Sequence, residues 1–224
     1  MAQESTLRAF SEALGSRTPT PGGGAAAALA GALAAALAEM VAQLTTGKAK
    51  FRAVEPQVRG VIERARQARV RLLDLMDEDT RAFQAVSLAY ALPKGDDVER
   101  AWRESSIQAA LAGAMQPPLR TMEEGCDVIA LAAEIAEIGN PTVASDAGCA
   151  ALLGEAAVRT AALNVLANVV LLRDAAAATT ARDRVGRLEA TAASARQRAM
   201  VTVYARMGLT QAESQAGTHA ETQA

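Results

Sequence analysis

Four stretches of this sequence put polar groups where chemistry can use them. The first surrounds Asp79. Apolar side chains recur there as Leu72, Met76, Phe83, Val86 and Tyr90, and position 79 falls in the same series, in steps of three and four. That spacing predicts a helix with Asp79 on its apolar face, while Asp77, Glu78 and Arg81 point elsewhere. A carboxylate so placed must be paired or hold its proton more tightly than an ordinary aspartate, because burial penalises the charged form. Either circumstance suits a general acid or base. The plain alternative is that Asp77-Glu78-Asp79 is one solvated acidic run.

The second stretch carries Asn164 and Asn168, four residues apart in the apolar run 161–170. Two amides one turn apart share a helix face and must find partners there. They either satisfy each other's neighbours as interhelical hydrogen bonds, or form a polar wall that reads the donors and acceptors of a flat heterocycle. The third is Gly139-Asn140-Pro141, followed by Ser145, Asp146 and Gly148. Ser145 reads as the N-cap of a helix and Asp146 as an acid in its first turn, where the helix dipole favours an anion. Beyond capping, Asp146 can accept two hydrogen bonds from an amino-pyrimidine edge. The fourth is Pro21, Gly22, Gly23 and Gly24 directly before a helix. It resembles an anion-binding turn, since glycine admits a ligand to the backbone N–H groups. It lacks the Lys-Ser/Thr of a phosphate loop, and a bend allowing tight helix packing is the competing reading. Lys48, Lys50 and Lys94 follow predicted helices; each is either solvated or available to an anionic ligand.

The elements that position these groups are all helical by periodicity, with no convincing strand alternation. The expected helices cover Thr6–Leu14, Ala25–Leu44, about Val54–Leu92, Asp97–Met115, Pro117 to before Gly139, Ser145 to about Arg173, and roughly Thr180–Met207. The fold expected is a single all-α bundle of about seven helices over residues 1–209, with a long central helix and a disordered polar tail over 210–224. Small residues surround the second helix on every side, so it wants cover all round, and a homodimer is expected. Its uncharged part, Ala25–Ala38, reaches about 21 Å, short of the roughly 30 Å of a bilayer core. The expectation is therefore a buried helix and no membrane partner.

Composition narrows the chemistry. Of 224 residues half are hydrophobic but only 3% aromatic, which argues against a sandwich or barrel. The net charge of −2 gives no basic excess for nucleic acid. Two cysteines, Cys126 and Cys149, make neither a disulfide framework nor a zinc cluster, and with no signal-peptide pattern the expected compartment is the cytoplasm. The one histidine, His219, lies in the polar tail, so histidine-dependent triads and zinc sites have no ordered imidazole to use. Carboxylates, amides, lysines and backbone dipoles remain.

In series, Thr18-Pro-Thr-Pro-Gly-Gly-Gly24, Leu44-Thr-Thr-Gly-Lys48, Asp79-Thr-Arg-Ala-Phe83, Leu92-Pro-Lys94, Gly139-Asn140, Ser145-Asp-Ala-Gly148 and Asn164-Val-Leu-Ala-Asn168 resemble the cyclodeaminase/cyclohydrolase family of folate enzymes. The order and spacing agree over roughly residues 5–205. Thr142 departs from the family's usual Asn, and Ala49 interrupts its basic run. The resemblance implies an all-helical dimer acting on a tetrahydrofolate one-carbon derivative, without metal or further cofactor. It places the catalytic carboxylate on Asp79. Substrate contacts would fall on Pro21, Gly22, Gly23, Gly24, Lys48, Lys94, Asn140, Ser145, Asp146, Asn164 and Asn168, with the glycine turn and lysines on the glutamate tail. The implied reaction is hydrolysis of 5,10-methenyltetrahydrofolate to 10-formyltetrahydrofolate. The alternatives are cyclodeamination of 5-formiminotetrahydrofolate and a non-catalytic helical binding module. The lack of a transferase domain in these 224 residues fits the cyclohydrolase branch.

Overall fold

Alanine, the strongest helix former, makes up most of the stretch Gly23–Gln43, and those 21 residues form helix α2. In the computed structural model, which describes residues 6–209, it follows α1 (Leu7–Leu14) and precedes α3 (Glu55–Tyr90), α4 (Asp97–Ala114), α5 (Gln116–Ile138), α6 (Ala144–Val169) and α7 (Ala175–Met207). Short 3-10 turns at Ala49–Val54 and Pro141–Val143 complete the regular structure, and no strand occurs among the described residues. The expected tail over 210–224, with His219, lies outside the described residues.

Helix ends follow local capping chemistry. Thr6 caps α1 by accepting the Ala9 N–H at 3.1 Å, Asp96 caps α4 through Glu99 at 2.7 Å, and Asp174 caps α7 through Ala177 at 3.0 Å. This last cap starts α7 at Ala175, five residues before the expected Thr180. Ser145 is not the cap of α6. That helix begins one residue earlier, at Ala144, continuing from the 3-10 turn that Asn140 itself caps by accepting the Thr142 N–H at 3.2 Å.

Helix α2 sits at the centre, packed by α3, α5 and α6. Its 21 residues reach about 32 Å, beginning two residues before the expected Ala25 and ending one before the expected Leu44. By length and composition, α2 and the stretch Pro141–Val169 are each apolar enough to cross a membrane. In the bundle, α2 buries eleven of its residues. Where Gly31 meets Leu72 of α3 and Ala157 of α6, an added Cβ would lie 3.0 Å and 3.5 Å from them. At the start of α2, Gly24 meets Asp79 and Gly23 meets Asn164. As α2 advances from 24 to 31, its neighbours run back from 79 to 72 and from 164 to 157, so both flank it antiparallel.

Glu39 of α2 accepts from Arg66 and Arg69 of α3 at 3.2 Å each, tying the two helices at the far end. Helices α5 and α6 cross at a pair of glycines. A Cβ on Gly125 would stand 2.7 Å from Val158 Cγ2, and one on Gly154 2.7 Å from Ile129 Cγ1.

Candidate active site

The site forms where α2 stops and its neighbours continue. Helix α3 runs eleven residues beyond Asp79, and α6 runs five beyond Asn164, with no α2 opposite them. A cavity of about 310 Å³ fills the gap. Its floor is Gly22, Gly23 and Gly24; Asp79, Phe83 and Val86 form one wall, and Asn164, Ala167, Asn168 and Leu171 the other. Pro19 and Thr20 close it from the loop, Leu111 and Ala114 from α4. The Thr20–Pro21 peptide bond is cis.

Asp79 is half-buried and, among the described residues, is the one titratable side chain lining the cavity. Burial pushes its carboxyl above the usual aspartate range, and a hydrogen bond from the Ala25 backbone N–H partly opposes the rise. A Cβ on Gly24 would lie 2.1 Å from Asp79 Oδ1, so only glycine permits this approach. The N-cap of α2, Gly22, offers no side-chain acceptor. Asp79 therefore takes that role from another helix, where the dipole favours an anion.

The apolar stripe that singled out Asp79 divides in two. Leu72 and Met76 are buried, but Phe83 is 42% exposed and Tyr90 45%. The reason is that α2 begins only opposite Asp79: beyond that point α2 no longer covers α3, α4 covers it in part, and Phe83 faces the cavity. Asp77 was expected to point away from the interior, yet it is 6% exposed. Helix α3 is covered by α2, α4 and α5 on more than one side, so a single stripe underestimates its buried surface.

Asn164 and Asn168 do reach the cavity, but not as interhelical bonds. Each side-chain Nδ2 donates back along α6, to the carbonyls of Thr160 and Asn164, at 2.9 Å in both cases. Asn164 also packs against Gly23, whose added Cβ would stand 3.2 Å away.

Pro21 lies beside the cavity in sequence but not in its lining. Asn140, Ser145 and Asp146 sit at the opposite end of α2. There the Asn140 backbone N–H donates to Thr45 Oγ1 at 2.9 Å, and its Nδ2 to the Leu44 carbonyl at 3.4 Å. Buried Thr45 in turn donates to the Val41 carbonyl at 2.7 Å. Two ends of α2 stand about 30 Å apart. Lys48 is exposed at this second end, next to the 3-10 turn, and Lys94 is exposed after α3. Within one chain the residues expected to bind substrate thus fall into two groups. Thr20, Phe83, Val86, Leu111 and Leu171 were missed as wall residues, being apolar or lone hydroxyl positions without a chemical signature.

Among the described residues no three His, Cys, Asp or Glu side chains come together to hold a metal ion. Cys126 is buried, its thiol pushed up to about 11 chiefly by burial, and donates to the Leu188 carbonyl at 3.4 Å. An apolar cavity with one acid, two amides and helix N–H groups suits a flat heterocycle bearing polar edges.

The sequence matches the formiminotransferase-cyclodeaminase family over residues 6–187. The chain belongs to that family. It is 42% identical to methenyltetrahydrofolate cyclohydrolase of Methylorubrum extorquens over 87% of this chain and 92% of that protein. It is 34% identical to rat formimidoyltransferase-cyclodeaminase over 76% of this chain, which spans 32% of that longer protein. The crystal structure of formiminotetrahydrofolate cyclodeaminase from Thermotoga maritima superposes with a TM-score of 0.83, at 31% identity, covering 92% of this chain and all of the other. This family member therefore shares its helical fold with a solved relative along nearly its whole length.

Proposed function

We propose that this chain hydrolyses 5,10-methenyltetrahydrofolate to 10-formyltetrahydrofolate and catalyses the reverse closure. The observation that carries the reading is Asp79: a partly desolvated carboxylate, alone among the described ionisable groups in an apolar cavity, held against a helix N-terminus. The greater identity to the Methylorubrum cyclohydrolase than to the rat enzyme favours hydrolysis.

The amidinium carbon of the substrate bridges N5 and N10 and is already electrophilic, so the reading needs no cofactor beyond the folate itself. Asp79 offsets the cation and accepts a proton from the attacking water. Addition gives a neutral tetrahedral carbinolamine; the protonated Asp79 returns its proton to N5 as the C–N5 bond breaks, and the hydroxyl proton is released to solvent as the C=O forms, leaving the formyl group on N10. Asn164 and Asn168 orient the polar edge of the ring, and Phe83 supplies an apolar face for it. Cyclodeamination is the second reading, supported by the rat and Thermotoga relatives. There N10 attacks the formimino carbon, and the same carboxyl protonates the departing amine.

The active unit we propose is a homodimer. The outward edge of α2 carries Leu33 and Met40, and that of α6 carries Leu152 and Leu163, all exposed and without charge. In the dimer proposed here these edges pair about a two-fold axis, and the partner's Asn140–Asp146 end completes the cavity. Reduced Cys126 and Cys149 are consistent with a cytoplasmic home.

Methenyl absorbance separates the readings. Decay of methenyltetrahydrofolate supports hydrolysis, growth from formiminotetrahydrofolate supports cyclodeamination, and no change with either leaves a binding module. Asp79→Asn is expected to bind folate while losing at least ~100-fold in turnover; wild-type rates in that variant remove Asp79 from the reaction.

A further inference from the structure

The glycine turn was expected to hold the glutamate tail of the substrate, but its closest neighbours are protein groups. Gly24 presses on the Asp79 carboxyl so tightly that a methyl group there would lie 2.1 Å, 2.4 Å and 2.6 Å from its Oδ1, Cγ and Oδ2. One residue later, the Ala25 N–H donates to that carboxyl. Helix α2 has no side-chain cap of its own, and among the described residues no basic side chain lines the cavity. We propose that Gly24 is a positioning residue, which admits the Asp79 carboxyl to the first turn of α2 so that the helix N-terminus orients it toward the cavity. This role rests on the reading of Asp79 as the catalytic acid and base, and gives the Gly22–Gly24 turn a task on the enzyme's own side chain.

The physical argument is a balance between two neighbours. Leu111 and Ala114 of α4, Ala167 of α6 and Leu171 just past its end line the same cavity with apolar surface, which favours the protonated form. No charged or titratable group of α2, α4 or α6 lines the cavity to oppose them. The Ala25 N–H and the dipole behind it are what favour ionisation. Remove that contact and the carboxyl is both displaced and harder to ionise.

Two measurements test the link. In Gly24→Ala the expected loss is about 100-fold in kcat, as for a misplacement of roughly 1 Å, with KM within about threefold of wild type. The acid limb of its pH–rate profile should move to higher pH. Gly186→Ala on α7, where an added Cβ meets nothing within 4 Å, is the unaffected control. Unchanged kcat, or a loss carried by KM with an unmoved pH profile, overturns the proposal.

The second measurement needs neither turnover nor a glycine variant. The Ala25 amide resonance of the wild-type protein should titrate with pH, and in Asp79→Asn it should not. An Ala25 amide that ignores pH, or titrates alike in both proteins, overturns the contact whatever reaction is catalysed. If that titration is found but neither folate is turned over, the functional reading fails and the positioning contact stands.

Discussion

Exchanging glycine for alanine at Gly154 and at Gly186 adds the same atoms to two helices and should change stability in opposite directions. At Gly186, mid-way along α7, the new methyl group meets nothing within 4 Å. Only the helix propensity changes, a gain of about 1 kcal/mol. At Gly154 the same gain is opposed by a Cβ placed 2.7 Å from Ile129 Cγ1. Carbon atoms prefer about 3.5–4.0 Å, so the helices must part by about 1 Å or Ile129 must leave its rotamer. Ile129 is fully buried, and the contacting atom is the inner carbon of a β-branched side chain rather than a flexible tip. Overpacking of this kind costs about 1–3 kcal/mol. Since propensity cancels between the two variants, their difference isolates the clash. Each kcal/mol moves the melting temperature by about 2–4 °C in a protein of this size. Urea midpoints and melting curves of the two variants, measured side by side, check the sign. Equal stabilisation by both would refute the close crossing of α5 and α6.

The remaining predictions test the site and its surroundings. Burial raises Asp79 above the usual aspartate value of about 3.9, so the ionised base, and with it kcat/KM for hydrolysis, should disappear at a higher pH than that value as the solution is acidified. Stability has the opposite sign: the folded state holds this proton more tightly, so relative to Asp79→Asn the wild type should lose stability as pH rises through the interval; a constant difference in urea midpoint would contradict it. Thr45→Val leaves the Asn140 N–H without its acceptor and should cost about 1–3 kcal/mol by urea unfolding. Maleimide should label exposed Cys149 in the native protein and spare Cys126 until denaturation; labelling of both at equal rates would count against the burial of Cys126. Leu163→Glu, at a side chain 68% exposed in the single chain, should shift the sedimentation mass from dimer to monomer, and an unchanged mass would remove α6 from the interface.

Helices were legible in the sequence because alanine and period-3.6 patterning persist through tertiary contact. Asp79 was legible for the same reason: a charged residue interrupted a regular apolar series. Its neighbour Asp77 is buried off that stripe because α3 is packed by three helices, and periodicity alone marks only one covered side. The family resemblance implies Asn140, Ser145 and Asp146 as substrate contacts together with Asp79. Order does not say at which end of an antiparallel pair a motif will emerge, and α6 carries Asp146 and Asn164 to opposite ends. The contact between Gly24 and Asp79 had no signal beyond the glycine itself, since the partner is 55 positions away in sequence.

The hollow beside Asp79 exists because three rods of unequal reach are laid side by side and the middle one starts late. Its dimensions are set by where a helix is allowed to begin, with no side chain dedicated to carving it. Rewriting residues 19–22 so that coiling starts one turn sooner would plug the hollow with backbone about 5 Å long, while the bundle beneath it stayed intact. In this architecture, whether a stack of helices is an enzyme or solid filler turns on a single turn of polypeptide.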